Sequence, residues 1–254
     1  MPTRTDKFGH TLITTAALLH LVFSQFFLTR LSGGTASEVD TSWAILGQSC
    51  GIWVPICAVI TAFHIQTQGQ SHHLHPKTHK HFNTHTFAGH AAVTTTLYIA
   101  TSIPFFSTWL ERCNQQTCDP LSSHLLLTTI LIQATGEEVL FRGHMILGAQ
   151  NSQKNVTRAI LLSNTLFIAG HAGNIDSLYL SIFFACIASS LTITTGRLEA
   201  PLALHLVHNV FSQTVVTYPS SSHWLIPAPE TALLSCAIVA VGYFNIHFTK
   251  SDSS

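Results

Sequence analysis

The chain has 254 residues, of which 46% are apolar, and this length suffices for one or two ordinary domains. Only 9% of the residues are Asp, Glu, Lys or Arg, with eleven basic side chains against eleven acidic ones, whereas a typical soluble domain has about 25% charged residues. This balance excludes a charge-rich soluble surface and argues against nucleic acid as a partner. The six cysteines are scattered over the chain, which argues against a disulfide scaffold, and they include no CxxC pair that would suggest a zinc ribbon.

Long stretches of the chain carry no charged residue. They cover residues 8–29, 41–76, 81–110, 120–136, 159–175, 177–196, 200–229 and 231–249. About 20 apolar helical residues cross a hydrocarbon core of ~30 Å. We therefore predict an all-α polytopic membrane protein, one integral membrane domain over residues 1–254, with about eight transmembrane helices. The predicted spans are residues 11–28, 43–63, 86–110, 121–147, 155–171, 178–195, 198–216 and 224–244.

These stretches have two other interpretations. The helices of a soluble all-α domain would carry a charged stripe opposite the apolar one, and these stretches do not. The first span resembles a signal peptide because Arg4 and Lys7 precede it, but no small-residue cleavage site follows before Glu38 and Asp40. We therefore interpret the first span as a retained anchor.

The basic residues between the spans predict the orientation. With the amino terminus inside, eight Lys and Arg residues face the cytoplasm and only Arg30 and Arg112 face the other side. Both termini are therefore predicted to be cytoplasmic. Cys113 and Cys118 then lie on the oxidising side, where a bridge and two free thiols both remain open.

A histidine-rich segment connects the second and third predicted spans. Eight histidines lie between His64 and His90, and we interpret residues 64–85 as a cytoplasmic loop. A metal-binding or pH-sensitive loop and a solvated linker both remain open, with the linker preferred because the histidines lack regular ligand spacing.

Ionisable groups inside the predicted spans are more informative, because each costs at least ~2.5–3.5 kcal/mol in the hydrocarbon region and normally faces a protein-lined or hydrated cavity. Three strings carry them. Glu137, Glu138 and Arg142 lie in the string Gly-Glu-Glu-Val-Leu-Phe-Arg-Gly. His171 is the last residue of Asn-Thr-Leu-Phe-Ile-Ala-Gly-His. His205 and Asn209 are the first and last residues of His-Leu-Val-His-Asn.

Helical spacing predicts that these groups meet. Glu138 and Arg142 are four residues apart, so they can pair from one side and leave Glu137 to face elsewhere. If Arg142 is structural and lies within the membrane, Glu137 is ~20 Å deep, at about the level of His171. His205 and Asn209 then lie ~12 and ~18 Å deep. The sequence therefore predicts one intramembrane polar site.

The chemistry of such a site is peptide hydrolysis without a covalent intermediate. Glu137 can act as a general base toward a water that His171 also holds. A histidine N–H and the Asn209 carboxamide can stabilise the oxyanion that forms. In a zinc-dependent alternative, His171, His205 and Glu137 bind Zn²⁺; we prefer the version without a cofactor because an HExxH signature is absent and Asn is a poor zinc ligand.

The strings EExxxR, FxxxH and HxxxN, in this order on separate predicted helices, resemble the motifs of the CPBP family. This family of intramembrane proteases includes the eukaryotic CAAX prenyl endopeptidase of the Ras-converting type. The likeness covers a motif-bearing core of about residues 121–216, including the string Thr-Gly-x-Leu-x-Ala-Pro at 195–201. It implies that Glu137 and His171 activate water, that His205 and Asn209 stabilise the oxyanion, and that Glu138 and Arg142 support the site. His208 lies outside the motif and is interpreted as a packed side chain.

The resemblance also implies the partners: a membrane-associated peptide or protein substrate and the lipid bilayer, in what we interpret as a bacterial plasma membrane. A prenylated substrate is not required, since peptide processing and bacteriocin self-immunity are also attached to the family. The competing hypothesis is a non-catalytic membrane protein, either a self-immunity factor or a peptide-binding or transport scaffold, that uses its polar cluster to hold helices together.

Overall fold

The structure, a computed structural model, describes residues 82–103, 120–149, 153–171, 175–215 and 235–244, together with Gly51, Trp53 and Ile56. Within these ranges the regular elements are all helices, which confirms the predicted all-α class. The helices are α1 (Thr84–Ser102), α2 (Pro120–Glu137), α3 (Gln153–His171), α4 (Ile175–Thr195), α5 (Glu199–Val215) and α6 (Ser235–Phe244). A π-helix (Glu138–Ile146) and a 3₁₀ turn (Leu147–Ala149) follow α2 without a break.

Five of these helices begin within the predicted spans or within three residues of them, and α6 lies inside the last one. Among the described residues, only Ser177–Thr195 in α4 is both long and apolar enough to cross a membrane by itself. The first predicted span and most of the second lie outside the described residues. The number of eight transmembrane helices therefore stays a prediction.

The chain divides into two compact units. The first comprises Met1–Lys80 and Asp119–Leu140, and thus contains α2. The second comprises His81–Cys118 and Phe141–Ser254, and contains α1 and α3 to α6.

Helix α5 is the central element of the second unit. It packs against both α1 and α4, and α4 packs in turn against α3. Small side chains permit this close approach of helices: Ala185 and Ala188 on α4, and Ala200 and Ala203 on α5, are almost completely buried. Large exposed apolar side chains such as Ile99, Leu161 and Phe183 occur on α1, α3 and α4, but none is found on the described part of α5.

Local sequence accounts for the ends of these helices. Asn83 caps α1, because its side-chain oxygen accepts hydrogen bonds from the backbone N–H groups of His85 and Thr86 at 2.9 and 3.1 Å. Helix α4 stops before Gly196, whose φ of +64° suits a residue without a Cβ. Pro201 lies in the first turn of α5, where its missing N–H is harmless. Pro201 therefore marks a helix start and not a kink.

Glu199 joins the beginnings of two helices. It is 2% exposed, and its Oε1 accepts a hydrogen bond from the Asn83 backbone N–H at 2.8 Å. The Arg197 guanidinium donates to the same oxygen at 3.3 Å. The Glu199 carboxylate thus lies at the N-termini of α1 and α5, where a helix dipole favours negative charge.

Candidate active site

The Glu-Glu-Val-Leu-Phe-Arg string begins where the helix geometry changes. Glu137 is the last residue of α2, and Glu138 to Arg142 lie in the π-helix. The span predicted over residues 121–147 is helical in the structure, but its α-helical geometry ends at Glu137 and continues as a π-helix. A π-helix closes i→i+5 hydrogen bonds, so the α-helical spacing argument for Glu138 and Arg142 does not apply directly. Such segments are rare and occur frequently at functional sites.

Glu137 lies in the first unit and is held by its own helix. Its side chain is 3% exposed. Gln133, one turn earlier, donates a hydrogen bond from Nε2 to Glu137 Oε1 at 2.9 Å. The buried Trp53 packs so closely against Gly136 that a Cβ at this glycine would lie 2.6 Å from the indole Cε3. The neighbouring Glu138 is buried as well.

Arg142 lies in the second unit and is fully buried, with 0% exposure. Its guanidinium carbon is 4.6 Å from the centroid of the Phe167 ring and 5.5 Å from that of Phe184. At such distances an aromatic face attracts a cation, and the attraction is stronger away from water. The aromatic rings therefore provide part of the environment that allows this charge to be buried.

His171, at the end of α3, has a defined tautomer. Its Nδ1 lies 2.8 Å from the backbone carbonyl oxygen of Phe167. A carbonyl only accepts, so Nδ1 carries the proton and donates it, and Nε2 of the neutral ring is an acceptor. The imidazole stacks on the Phe167 ring, with centroids 4.3 Å apart and planes at 24°. Backbone and ring together fix the direction of Nε2.

His205 lies on α5 and is 2% exposed. Its ring contacts Phe184, at 4.6 Å between centroids, and Phe167, at 5.9 Å with an edge-to-face angle of 72°. Asn209 is one turn further along α5 and is half-buried. The structure therefore brings His171 and His205 to the same phenylalanine, with Asn209 on the helix that carries His205.

Phe167 and Phe184 form the centre of this arrangement. The two rings stack with centroids 5.3 Å apart and planes at 19°. Arg142, His171 and His205 all contact at least one of the two rings. We call Phe167 and Phe184 the aromatic pair. The convergence of Glu137, in the other unit, with these histidines stays a prediction.

His208 packs against α1. Its Nδ1 lies 2.9 Å from the hydroxyl oxygen of Tyr98, a completely buried residue. Its ring is also 5.5 Å from that of Phe184. This geometry agrees with the interpretation of His208 as a packed side chain, and it makes Tyr98 a link between α1 and α5.

Three side chains of this region were missed in the sequence: Gln133, Phe184 and Tyr98. The position of Gln133, four residues before Glu137 in a charge-free stretch, was a usable signal. Phe184 had no such signal, because one phenylalanine in the apolar α4 looks like any other. Tyr98 pairs with His208 across 110 positions, a contact that only tertiary structure reveals.

A comparison with protein families supports the motif assignment. Residues 120–211 match the family described as type II CAAX prenyl endopeptidase Rce1-like, which confirms the resemblance drawn from the motifs. The matched segment contains all four candidate catalytic residues, Glu137, His171, His205 and Asn209. Because this is a family of integral membrane proteases, the match supports a membrane protein that hydrolyses peptide bonds. No curated protein and no solved structure matches the chain significantly.

Proposed function

We propose that this chain is an intramembrane glutamic endopeptidase that hydrolyses a peptide bond of a membrane-associated protein or peptide. The observation that carries the proposal is that one segment, matched by a protease family, contains Glu137, His171, His205 and Asn209. The packing of His171 and His205 on the aromatic pair is further support.

In this mechanism Glu137 is the general base. It takes a proton from a water molecule while the water oxygen bonds to the carbonyl carbon of the substrate. The carbonyl oxygen becomes an oxyanion in the tetrahedral intermediate. The protonated Glu137 then gives its proton to the amide nitrogen, the C–N bond breaks, and an amine and a carboxylic acid leave.

His171 holds the attacking water. The hydrogen bond from its Nδ1 to the Phe167 carbonyl leaves Nε2 as the acceptor. This Nε2 atom accepts a hydrogen bond from the second O–H group of the water. The water is then held by two acceptors, Glu137 and His171, which directs an oxygen lone pair toward the substrate.

His205 and Asn209 stabilise the oxyanion. The imidazole N–H of His205 and the carboxamide N–H of Asn209 can both donate hydrogen bonds to an oxyanion. Both residues lie on α5, which packs against α1 and α4. Donors on a rigid element need no reorganisation when the charge develops. Glu138 and Arg142 support the site, and the burial of both side chains favours this role.

The proposed substrates are cut near the cytoplasmic face of a bacterial plasma membrane, with both termini of the enzyme in the cytoplasm. Prenylated peptides are candidates because the matched family is described as prenyl endopeptidases. Unprenylated peptides are candidates as well, because the proposed mechanism does not require a prenyl group. We propose a mechanism without a cofactor; in the alternative, His171, His205 and Glu137 would hold a zinc ion, which would supply a Lewis acid for the water.

A second candidate function is a non-catalytic membrane protein, a self-immunity factor or a scaffold that binds or transports peptides. Partly buried hydrogen bonds between helices favour it, such as the one that Ser189 donates to Asn164 Oδ1 at 2.7 Å. The contact of Tyr98 with His208 is another. Such polar contacts hold helices together and do not require a catalytic role.

A cleavage assay separates the two functions. The purified protein, reconstituted in liposomes, is incubated with membrane-inserted peptides, some of which carry a prenylated cysteine near the carboxyl terminus. We expect cleavage by the unchanged protein and by Glu230→Gln, which alters a carboxylate outside the motifs. Glu137→Gln should abolish cleavage while the helical content and the thermal unfolding temperature remain unchanged.

Two outcomes would contradict the proposal. One is the absence of cleavage of every peptide by the folded protein, which would favour the scaffold; the other is full activity of Glu137→Gln. A parallel series with excess chelator tests the mechanism. Unchanged activity is expected without a cofactor, and loss of activity that added Zn²⁺ restores would establish the zinc version.

A further inference from the structure

We propose that Gln133 is a positioning residue for the general base, a role that rests on the proposed function of Glu137. The amide nitrogen of Gln133 lies 2.9 Å from Glu137 Oε1, a good length for an N–H···O hydrogen bond. Both residues belong to α2, and their separation of four places them on one side of the helix. The contact is therefore built into the helix that carries the base.

The location of Gln133 suits a fixed support. Its neighbours on α2, Ile130 and Ala134, are buried, so this turn of the helix is packed. The regular α-helix ends at Glu137, and the π-helix begins with the next residue. The Glu137 side chain thus extends from the junction of two helix types, and the hydrogen bond ties it back to the regular one.

The neutral character of the donor matters for the chemistry. A glutamate side chain loses rotamer freedom when it is held in one orientation, and a hydrogen bond offsets this loss. A Lys or Arg partner would also orient the carboxylate, but an adjacent positive charge strongly favours its ionised form and weakens it as a base. The Gln133 amide adds no formal charge. It fixes Oε1, and so the plane of the carboxylate, while Glu137 remains able to take a proton.

The alternative is that Gln133 only satisfies a buried polar group and contributes to stability. The two roles differ in what they change. A positioning role acts through Glu137, so it lowers the turnover number and leaves KM nearly unchanged. A purely structural role changes the unfolding temperature and leaves the rate per folded molecule unaltered.

The test compares Gln133→Leu with Thr129→Val in the liposome assay. Thr129 is a buried residue one turn earlier on α2, and its hydroxyl donates to the Leu125 carbonyl at 2.8 Å. Its replacement removes a buried polar group from the same helix without removing the contact to Glu137. Gln133→Asn is the second variant, because it keeps an amide and shortens the side chain by one methylene.

We expect Gln133→Leu and Gln133→Asn to lower kcat by between about 10-fold and 100-fold, the scale of a misplaced catalytic group, with KM nearly unchanged. Thr129→Val should match the unchanged protein.

Equal kcat values for Gln133→Leu, Gln133→Asn and Thr129→Val, with cleavage still dependent on Glu137, would overturn the positioning role and leave the proposed function intact. Cleavage that survives Glu137→Gln would instead remove the proposed function itself, so the two failures are distinguishable.

Discussion

The Nδ1 atom of His171 donates a hydrogen bond to the backbone carbonyl of Phe167 at 2.8 Å, which makes Nε2 the acceptor of the ring. Glutamine and asparagine test which nitrogen acts on the water, because the end of a glutamine side chain reaches about as far as Nε2 and that of asparagine about as far as Nδ1. We expect His171→Gln to retain more activity than His171→Asn, and His171→Ala to lose ~10²–10⁴-fold in kcat. The measurement is kcat in the liposome assay. A higher rate for His171→Asn than for His171→Gln would contradict this tautomer.

Gly136 is predicted to be intolerant of any side chain. A Cβ there would lie 2.6 Å from Cε3 and 2.7 Å from Cβ of Trp53, so the residue before Glu137 would have to move. Gly136→Ala should lower the free energy of unfolding by about 1–3 kcal/mol, the usual cost of overpacking, and should reduce activity. Gly89→Ala is the control because no atom lies within 4 Å of the added Cβ; it should stabilise α1 by about 0.5–1 kcal/mol. Thermal unfolding checks both, and equal effects of the two substitutions would be inconsistent with the close approach.

The aromatic pair is expected to hold both histidines in place. Phe184→Leu keeps an apolar side chain but removes the ring that lies 4.6 Å from His205 and stacks on Phe167. We therefore expect a lower kcat together with a destabilisation of at most about 1.5 kcal/mol, as for swaps that nearly conserve volume. The neighbouring Phe183 is 38% exposed, and Phe183→Leu should leave both quantities unchanged. If the two substitutions lower kcat equally, the ring contact has no positioning effect.

Asn209 should matter only in the transition state. Asn209→Ala removes a donor to the developing oxyanion, so kcat should fall by ~10²–10³-fold with little change in KM. Asn209→Asp should be no better, because a carboxylate repels the negative charge. Ser212→Ala, which removes a hydroxyl bound to the His208 carbonyl on the same helix, serves as the control and should be fully active. A rise in KM at constant kcat would show that Asn209 binds the substrate in its ground state.

The sequence was sufficient for much of the fold because membrane helices leave a simple pattern. Charge-free stretches located the helices now described as α1 to α6. The three motif strings identified Glu137, His171, His205 and Asn209 through residue types that are costly in an apolar segment. Burial of Glu137 and His205 agrees with that reasoning, whereas their catalytic roles await the assays.

The remaining features depend on tertiary contacts or on backbone geometry. No residue type in the sequence marks the π-helix at Glu138–Ile146. It contains no proline, and a single glycine such as Gly143 also occurs in α-helices. Phe184 became important only through its stacking on Phe167, a residue 17 positions away on another helix. The role of Glu199 depends on Asn83, which a pattern of local spacing cannot reach.

The single carboxylate shared by the first turns of α1 and α5 has a mechanical consequence. Any rotation of α5 about its axis, or slippage along it, would withdraw Glu199 from the Asn83 N–H and leave a buried negative charge without that donor. Glu199 therefore helps to fix the rotation and the axial position of α5 relative to α1. This contact therefore contributes to the angular position of His205 and Asn209 on α5, although Glu199 takes no part in the proposed chemistry.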